Sequence, residues 1–163
     1  MSSKGNNVLY KGIPATRDAF VVIVKTEWNA SLINKMEKGC KRILEENGAS
    51  SKTIVVPGAF EIPYAIKLYA ASAAGKKAAA FIALGAVVRG DTPHFDYVCK
   101  AVTDGIASLN LLLDVPVIFG VLTVDNEQQA LDRIGGKHGH KGEEAAVAAL
   151  KMIALKKKLD RGR

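Results

Sequence analysis

Little in this chain invites a disulfide, a membrane or a metal. Among 163 residues there are only two cysteines, Cys40 and Cys99, and each falls within a helical pattern. Small buried hydrophobes are the expected reading, not a cross-link. The longest apolar run, Ala78 to Val88, is too short to cross a bilayer. No apolar core follows the lysine near the N-terminus, so no secretory signal is expected and the cytoplasm is the simplest location. Aromatic residues amount to 6%, with one tryptophan, Trp28. None of them is interleaved with the basic tail that starts at Lys156, and no nucleic-acid motif appears. Although the formal charge is +7, we therefore expect no nucleic acid and no membrane as partner. A site for an anionic small molecule accounts for some of the remaining basic residues.

What is present is a regular alternation. A hydrophobic content of 48% with 24% charged residues is ordinary for a globular chain, and the length suits one domain across residues 1–163. Residues 1–10 are expected to be mobile or docked on a neighbour, and residues 158–163 to be a solvated basic tail. Ala19 to Val24 reads as a buried strand, and Leu32, Ile33, Met36, Cys40, Ile43 and Leu44 as one helical stripe ending near Gly48. Thr53 to Val56 is a second strand, followed by a helix from Glu61 to Ala74. A third strand runs from Ala79 to Val88 and a long helix from Pro93 to about Leu113. Val117 to Leu122 is the fourth strand, Asp125 or Asn126 caps a short helix through Ile134, and a last helix spans about Gly142 to Lys157. Strands apolar throughout, alternating with helices, predict an α/β fold. Its form is a flavodoxin-like three-layer sandwich, with a four-stranded parallel sheet and helices on both faces.

Ligands of such sheets sit outside the carboxyl ends of the strands. The first strand leads to Trp28-Asn29, the second to Gly58-Ala59-Phe60-Glu61, the third to Gly90-Asp91-Thr92-Pro93-His94. In the last of these, Thr92 can cap a helix and Pro93 can open it, leaving first-turn N–H groups aimed outward as an anion site. The same helix start places His94 where the dipole disfavours an imidazolium, leaving a form able to accept a proton. Each residue has a plainer alternative. Trp28 either packs under a loop or offers a stacking face to a planar heterocycle, with Asn29 bonding a polar appendage. Glu61 either complements its helix end or accepts bonds from substrate hydroxyls. Asp91 is a turn former or an alternative cap, and His94 a proton carrier or a solvent-facing side chain.

A second cluster, Arg133 to Gly142, gathers basic and imidazole side chains among glycines. It lacks the Lys-Ser/Thr pair of a Walker A loop. His138 and His140 alternate like a metal pair, yet no cysteine or carboxylate stands at ligand spacing, so no metal is expected. Two readings stay open: an oxyanion grip by Arg133 and Lys141, or a solvated loop.

Taken together, Val56 to Pro63, Gly85 to Asp96, Pro116 to Thr123 and Gly135 to Glu144 resemble the 6,7-dimethyl-8-ribityllumazine synthases, with all blocks in order from about Val21 to Leu155. The resemblance implies condensation of 5-amino-6-(D-ribitylamino)uracil with 3,4-dihydroxy-2-butanone 4-phosphate in riboflavin biosynthesis, without metal or organic cofactor. By matching position, Trp28 would stack on the pyrimidine, where many members carry Phe. Asn29 and Glu61 would hold the ribityl chain, and the backbone around Gly58, Ala59, Phe60, Val87 and Val88 would meet ligand polar atoms. Asp91, Thr92 and Arg133 would hold the phosphate, His94 would shuttle protons, and Glu144 would line the site. Phe119 and Lys141 would come from an adjacent subunit. The resemblance further implies a homo-oligomer, a pentamer or a 60-subunit shell, with riboflavin synthase as a candidate partner. Asp91, Pro93, His138 and His140 depart from common choices. The competing reading is a flavin-binding or shell-forming protein of the same fold without catalysis.

Overall fold

The computed structural model describes residues 9–162; the expectation for Met1 to Asn7 lies outside them. Four strands form one parallel sheet: β1 (Phe20–Thr26), β2 (Ser50–Val56), β3 (Ala80–Val88) and β4 (Val117–Val124), in the order β2-β1-β3-β4. Around it lie α1 (Ala30–Glu46), α2 (Ile62–Ala71), α3 (His94–Leu112), α4 (Glu127–Asp132) and α5 (Lys141–Arg161). This is the α/β flavodoxin-like sandwich that the alternation predicts.

Strand periodicity divides the core. In β1, Val21 and Ile23 face one way and pack with α1 and α5, while Val22 and Val24 face the other way and pack with α2 and α3. β3 does the same with Ile82 and Leu84 against Phe81 and Ala83. Both central strands are therefore apolar on both faces, as buried parallel strands must be. Register runs from Val21↔Ala80 to Lys25↔Leu84 between β1 and β3, and from Phe81↔Val117 to Val88↔Val124 between β3 and β4. Gly142 lets α5 come close to α1: a Cβ there would lie 2.0 Å from the Met36 carbonyl oxygen.

The element ends differ from expectation for identifiable reasons. β2 starts at Ser50, not Thr53, because backbone pairing from Phe20↔Ser50 extends it through polar residues. An edge strand need not be apolar throughout. α2 stops at Ala71, not Ala74: the Ser72 hydroxyl donates to the Tyr69 carbonyl (2.6 Å) and accepts from the Gly75 N–H (3.1 Å), turning the chain out. α3 starts at His94 with Pro93 in the cap position, so no side chain caps it and the Thr92 cap is not formed. Asn126 caps α4 through the Gln129 N–H (3.0 Å), but that helix ends at Asp132. Ile134 enters a small antiparallel hairpin instead, β5 (Ile134–Gly136) with β6 (Gly139–His140). Positive φ values at Gly135 and Gly139 make that turn possible. α5 runs on to Arg161, helped by a Lys156–Asp160 pair at 3.1 Å and by basic residues in its last turn.

Leu9 and Tyr10 dock on α5 of their own chain: Lys151 donates to the Leu9 carbonyl (2.6 Å) and the Tyr10 hydroxyl to Glu143 (3.2 Å). Both cysteines are free, and burial pushes the Cys40 thiol up to about 12. Among the described residues no helix is long and apolar enough to cross a membrane.

One half-buried polar knot ties α1 to the sheet. Glu37 takes Lys25 of β1 at 2.5 Å, Lys41 at 2.7 Å and the Thr53 hydroxyl of β2 at 2.6 Å. Burial works to raise the Glu37 carboxyl, but hydrogen bonds from Lys25, Lys41 and Thr53 outweigh it and hold the group at about 2, against an ordinary 4.5. A depressed carboxyl stabilises the fold above its unfolded value and loses that contribution as pH falls toward its folded value. The stability gap between wild type and Glu37→Gln in urea titrations should thus be full near neutrality and close between about pH 4.5 and about pH 2. A gap that stays constant over this range contradicts the assignment.

Candidate active site

β1 and β3 are neighbours, yet their following helices cover opposite faces of the sheet. A crevice must open where the chains part, at the carboxyl ends of these strands. It is a cavity of about 520 Å³ lined by Thr26, Trp28, Asn29, Ala59, Phe60, Glu61, Ala86, Val87, Val88, His94 and Val98. The structure thus brings together three strand ends that the sequence lays far apart.

Trp28 is not packed under a loop: it is 67% exposed and stands at the cavity wall. Its indole lies over Gly58, where a Cβ would come within 2.7 Å of the ring. Backbone bonds from Glu27 to the Val56 carbonyl (2.8 Å) and from Trp28 to the Pro57 carbonyl (3.1 Å) join the turns after β1 and β2. Buried Thr26 donates to the Trp28 carbonyl (3.0 Å). Asn29 adopts the left-handed conformation (φ 60°, ψ 36°), which asparagine tolerates better than most residues. Its amide donates to the Ala86 carbonyl at 3.0 Å, tying the β1 exit to β3 and leaving Oδ1 toward other partners.

Glu61 serves its own turn and also stands at the cavity. One carboxylate oxygen accepts the Gly58 N–H (3.0 Å) and closes the turn at Ala59–Glu61, while the side chain also lines the cavity. Val87 and Val88 are half-buried at the carboxyl end of β3. His94 opens α3 at the cavity edge, and within the described residues its imidazole has no hydrogen-bond partner. Asp91 and Thr92 are exposed bends leading into that helix and do not line the cavity themselves. The loop is braced from outside by Arg89, which stacks on Phe95 at 4.0 Å and pairs with Asp125 (3.0 Å) and Asp96 (3.4 Å). Sequence reasoning missed Thr26, Ala86 and Val98. Their signal was periodicity alone: Ala86 lies two before Val88 in a strand, and Val98 one helical turn after His94.

A second group gathers elsewhere. Arg133 pairs with Glu144 at 3.0 Å, donates to the His138 carbonyl, and accepts through its own carbonyl the Lys141 N–H (2.7 Å). Burial lowers the Lys141 ammonium; Glu144 opposes this and Arg133 adds to it. Phe119 is half-buried on β4, whose outer edge pairs with no strand among the described residues. None of these four side chains lines the cavity of its own chain. Nor do the described residues contain any group of three or more His, Cys, Asp or Glu able to hold a metal.

Residues 18–157 match the model of the 6,7-dimethyl-8-ribityllumazine synthase family. Proteins of that name resemble the chain along nearly its whole length. The one from Porphyromonas gingivalis is 48% identical over 151 residues, covering 91% of this chain and 92% of its own. The one from Parabacteroides distasonis is 47% identical over 147 residues, covering 88% and 90%. A third, from Cytophaga hutchinsonii, is 44% identical over 159 residues, covering 94% and 98%. The chain belongs to the 6,7-dimethyl-8-ribityllumazine synthase family.

Apart from Asp91 and Thr92, which lie on the exposed loop into α3, the residues read from the sequence thus divide in two. Trp28, Asn29, Ala59, Phe60, Glu61, Val87, Val88 and His94 share one cavity, with Gly58 directly beneath Trp28. Phe119, Arg133, Lys141 and Glu144 stand apart from it. Gly58 itself has an extended backbone (φ −140°, ψ −179°) that alanine can adopt, so what opposes a methyl group there is chiefly the indole at 2.7 Å and, less, the Glu61 carboxylate at 3.1 Å. Gly58→Ala should shift the fluorescence emission of Trp28, the sole tryptophan, while the melting temperature moves by only a few degrees, roughly 1 kcal/mol or less because the ring is exposed. An unchanged spectrum would show that the ring does not rest on Gly58.

Proposed function

We propose that this chain is an active lumazine synthase, condensing 5-amino-6-(D-ribitylamino)uracil with 3,4-dihydroxy-2-butanone 4-phosphate to give 6,7-dimethyl-8-ribityllumazine, phosphate and water. The observation that carries the reading is the cavity that sets an exposed indole, an amide, a carboxylate and an unpartnered imidazole around one space, in a chain of that family. The enzyme is a transferase of riboflavin biosynthesis.

Trp28 stacks on the pyrimidine, and Asn29 Oδ1 with the uncommitted oxygen of Glu61 meets ribityl hydroxyls. Backbone groups of Gly58, Ala59, Phe60, Val87 and Val88 take the polar edge of the ring. The ring amine attacks the ketone and an imine forms with loss of water. A proton is then lost next to the imine, the phosphate departs, and the second amine closes the ring with loss of another water. His94 carries protons in these steps, and the N–H groups of Asp91 and Thr92, at an uncapped helix start, receive the phosphate. No strong nucleophile is needed, because holding two reactants together supplies much of the acceleration.

The rest of the site comes from a second copy of the chain. Arg133, Lys141 and Glu144 are already assembled, and neither they nor Phe119 on β4 line that cavity in their own chain. Apolar side chains on the surface, among them Tyr64, Leu68, Tyr97 and the 89%-exposed Leu111, suit burial between copies. A pentamer, and with the short loop at Gly135 to Gly142 a 60-subunit shell, is the assembly we propose, acting in the cytoplasm, with riboflavin synthase as a further partner. Light scattering should give a particle of shell size; a lone pentamer overturns the shell.

Mixing the two substrates and following the absorbance and fluorescence of the lumazine tests the function directly. No product would favour the alternative, a binding or shell protein without catalysis. His94→Ala should lower turnover by at most about 10²–10⁴-fold and leave it measurable; complete loss with intact binding would mean that proximity contributes less than claimed. Arg133→Ala should chiefly raise the Michaelis constant for the butanone phosphate, and an unchanged constant would remove Arg133 from the phosphate grip.

A further inference from the structure

The proposed reaction leaves both loop histidines unassigned. His138 contributes its carbonyl to Arg133 and leaves its ring in solvent. His140 is built in differently. Its Nδ1 accepts the backbone N–H of Glu143 at 3.3 Å and so caps α5. Its ring lies in a notch of α1: a Cβ on Gly39 would fall 2.4 Å from Cε1, 2.7 Å from Nε2 and 2.9 Å from Nδ1. A glycine inside a helix is less favourable than alanine, so one in the interior of α1 calls for a packing reason. The imidazole supplies it.

The place of this contact matters. His140 pairs with Ile134 across the hairpin, and the next residue, Lys141, bonds back to the Arg133 carbonyl at 2.7 Å. Along the chain Arg133 precedes the hairpin that His140 closes and Lys141 and Glu144 follow it, and the two flanks meet in the Arg133–Glu144 pair. The following turn of α5 is held from α1 as well, because Arg42 grips Glu143 at 2.8 Å and Gly142 rests on the Met36 backbone.

We infer that His140 is a positioning residue, whose ring, seated against Gly39 and capping α5, holds Arg133, Lys141 and Glu144 in the arrangement that receives the phosphate-bearing substrate. This rests on the proposed role of those three residues. A cap that serves only the fold would, when removed, lower stability and the amount of working enzyme, leaving the Michaelis constants alone. A positioning cap acts on the phosphate-bearing substrate itself.

The test is steady-state kinetics on the assembled enzyme, varying the butanone phosphate. His140→Ala should raise its Michaelis constant by about fivefold, the scale of a lost helix cap, with a smaller change in kcat. His140→Asn, which keeps a capping oxygen without the ring, should recover most of that loss. Gly39→Ala provides a route that spares the cap residue: it favours the helix but expels the ring, and it should raise the same constant even if His140→Ala folds poorly. An unchanged constant in Gly39→Ala and His140→Ala, or an asparagine variant no better than the alanine one, overturns the inference. Arg133→Ala measured alongside separates the two levels. If it too leaves the constant unchanged, the underlying site reading fails; if it responds while the His140 and Gly39 variants do not, only the positioning role fails.

Discussion

The pairing of β1 with β3 is the constraint from which the rest of the molecule follows. Because these two strands are hydrogen-bonded neighbours while α1 and α3 cover opposite faces, the backbone must part above them. Asn29 spans the parting by bonding the Ala86 carbonyl, at the cost of a left-handed backbone. Everything that lines the cavity hangs from this arrangement: the indole on the β1 exit, the imidazole past the β3 exit, and the Glu61 turn leaning in from β2.

The second half of the proposed site obeys a different constraint, the close approach of α1 and α5. Gly39 and Gly142 let a ring and a backbone carbonyl sit where side chains would otherwise stand. The helix that starts at the first half-site therefore also seats the loop of the second. In one chain the two halves are separate, and we take this as the reason that the activity we propose belongs to an assembly.

Legibility in the sequence followed burial. The central strands and the α1 stripe were plain because every one of their inward positions is apolar, from Val21 to Val24 and from Leu32 to Leu44. The start of β2 was hidden because Ser50 to Lys52 join the sheet by backbone pairing with β1, not by apolar side chains. The hairpin at Ile134 to His140 was hidden for a similar reason, since glycine turns carry little periodic pattern. Strand ends pointed to Trp28, Glu61 and His94 by topology alone. Arg133 and Lys141 stood out only as basic residues among glycines, where an oxyanion grip and a solvated loop both stayed open, and Glu144 was suggested by the family resemblance alone; their grouping comes from a hairpin and an ion pair.

The central claim is that each site is completed by two copies of the chain. Co-expressing His94→Ala chains with Arg133→Ala chains under separate tags, and purifying assemblies that carry both, tests it most directly. Sharing predicts that the mixed assemblies form lumazine faster than the average of the two parents, because some sites combine an intact His94 from one copy with an intact Arg133 from the next. A rate equal to that average would contradict a shared site and place both residues in service of a single chain.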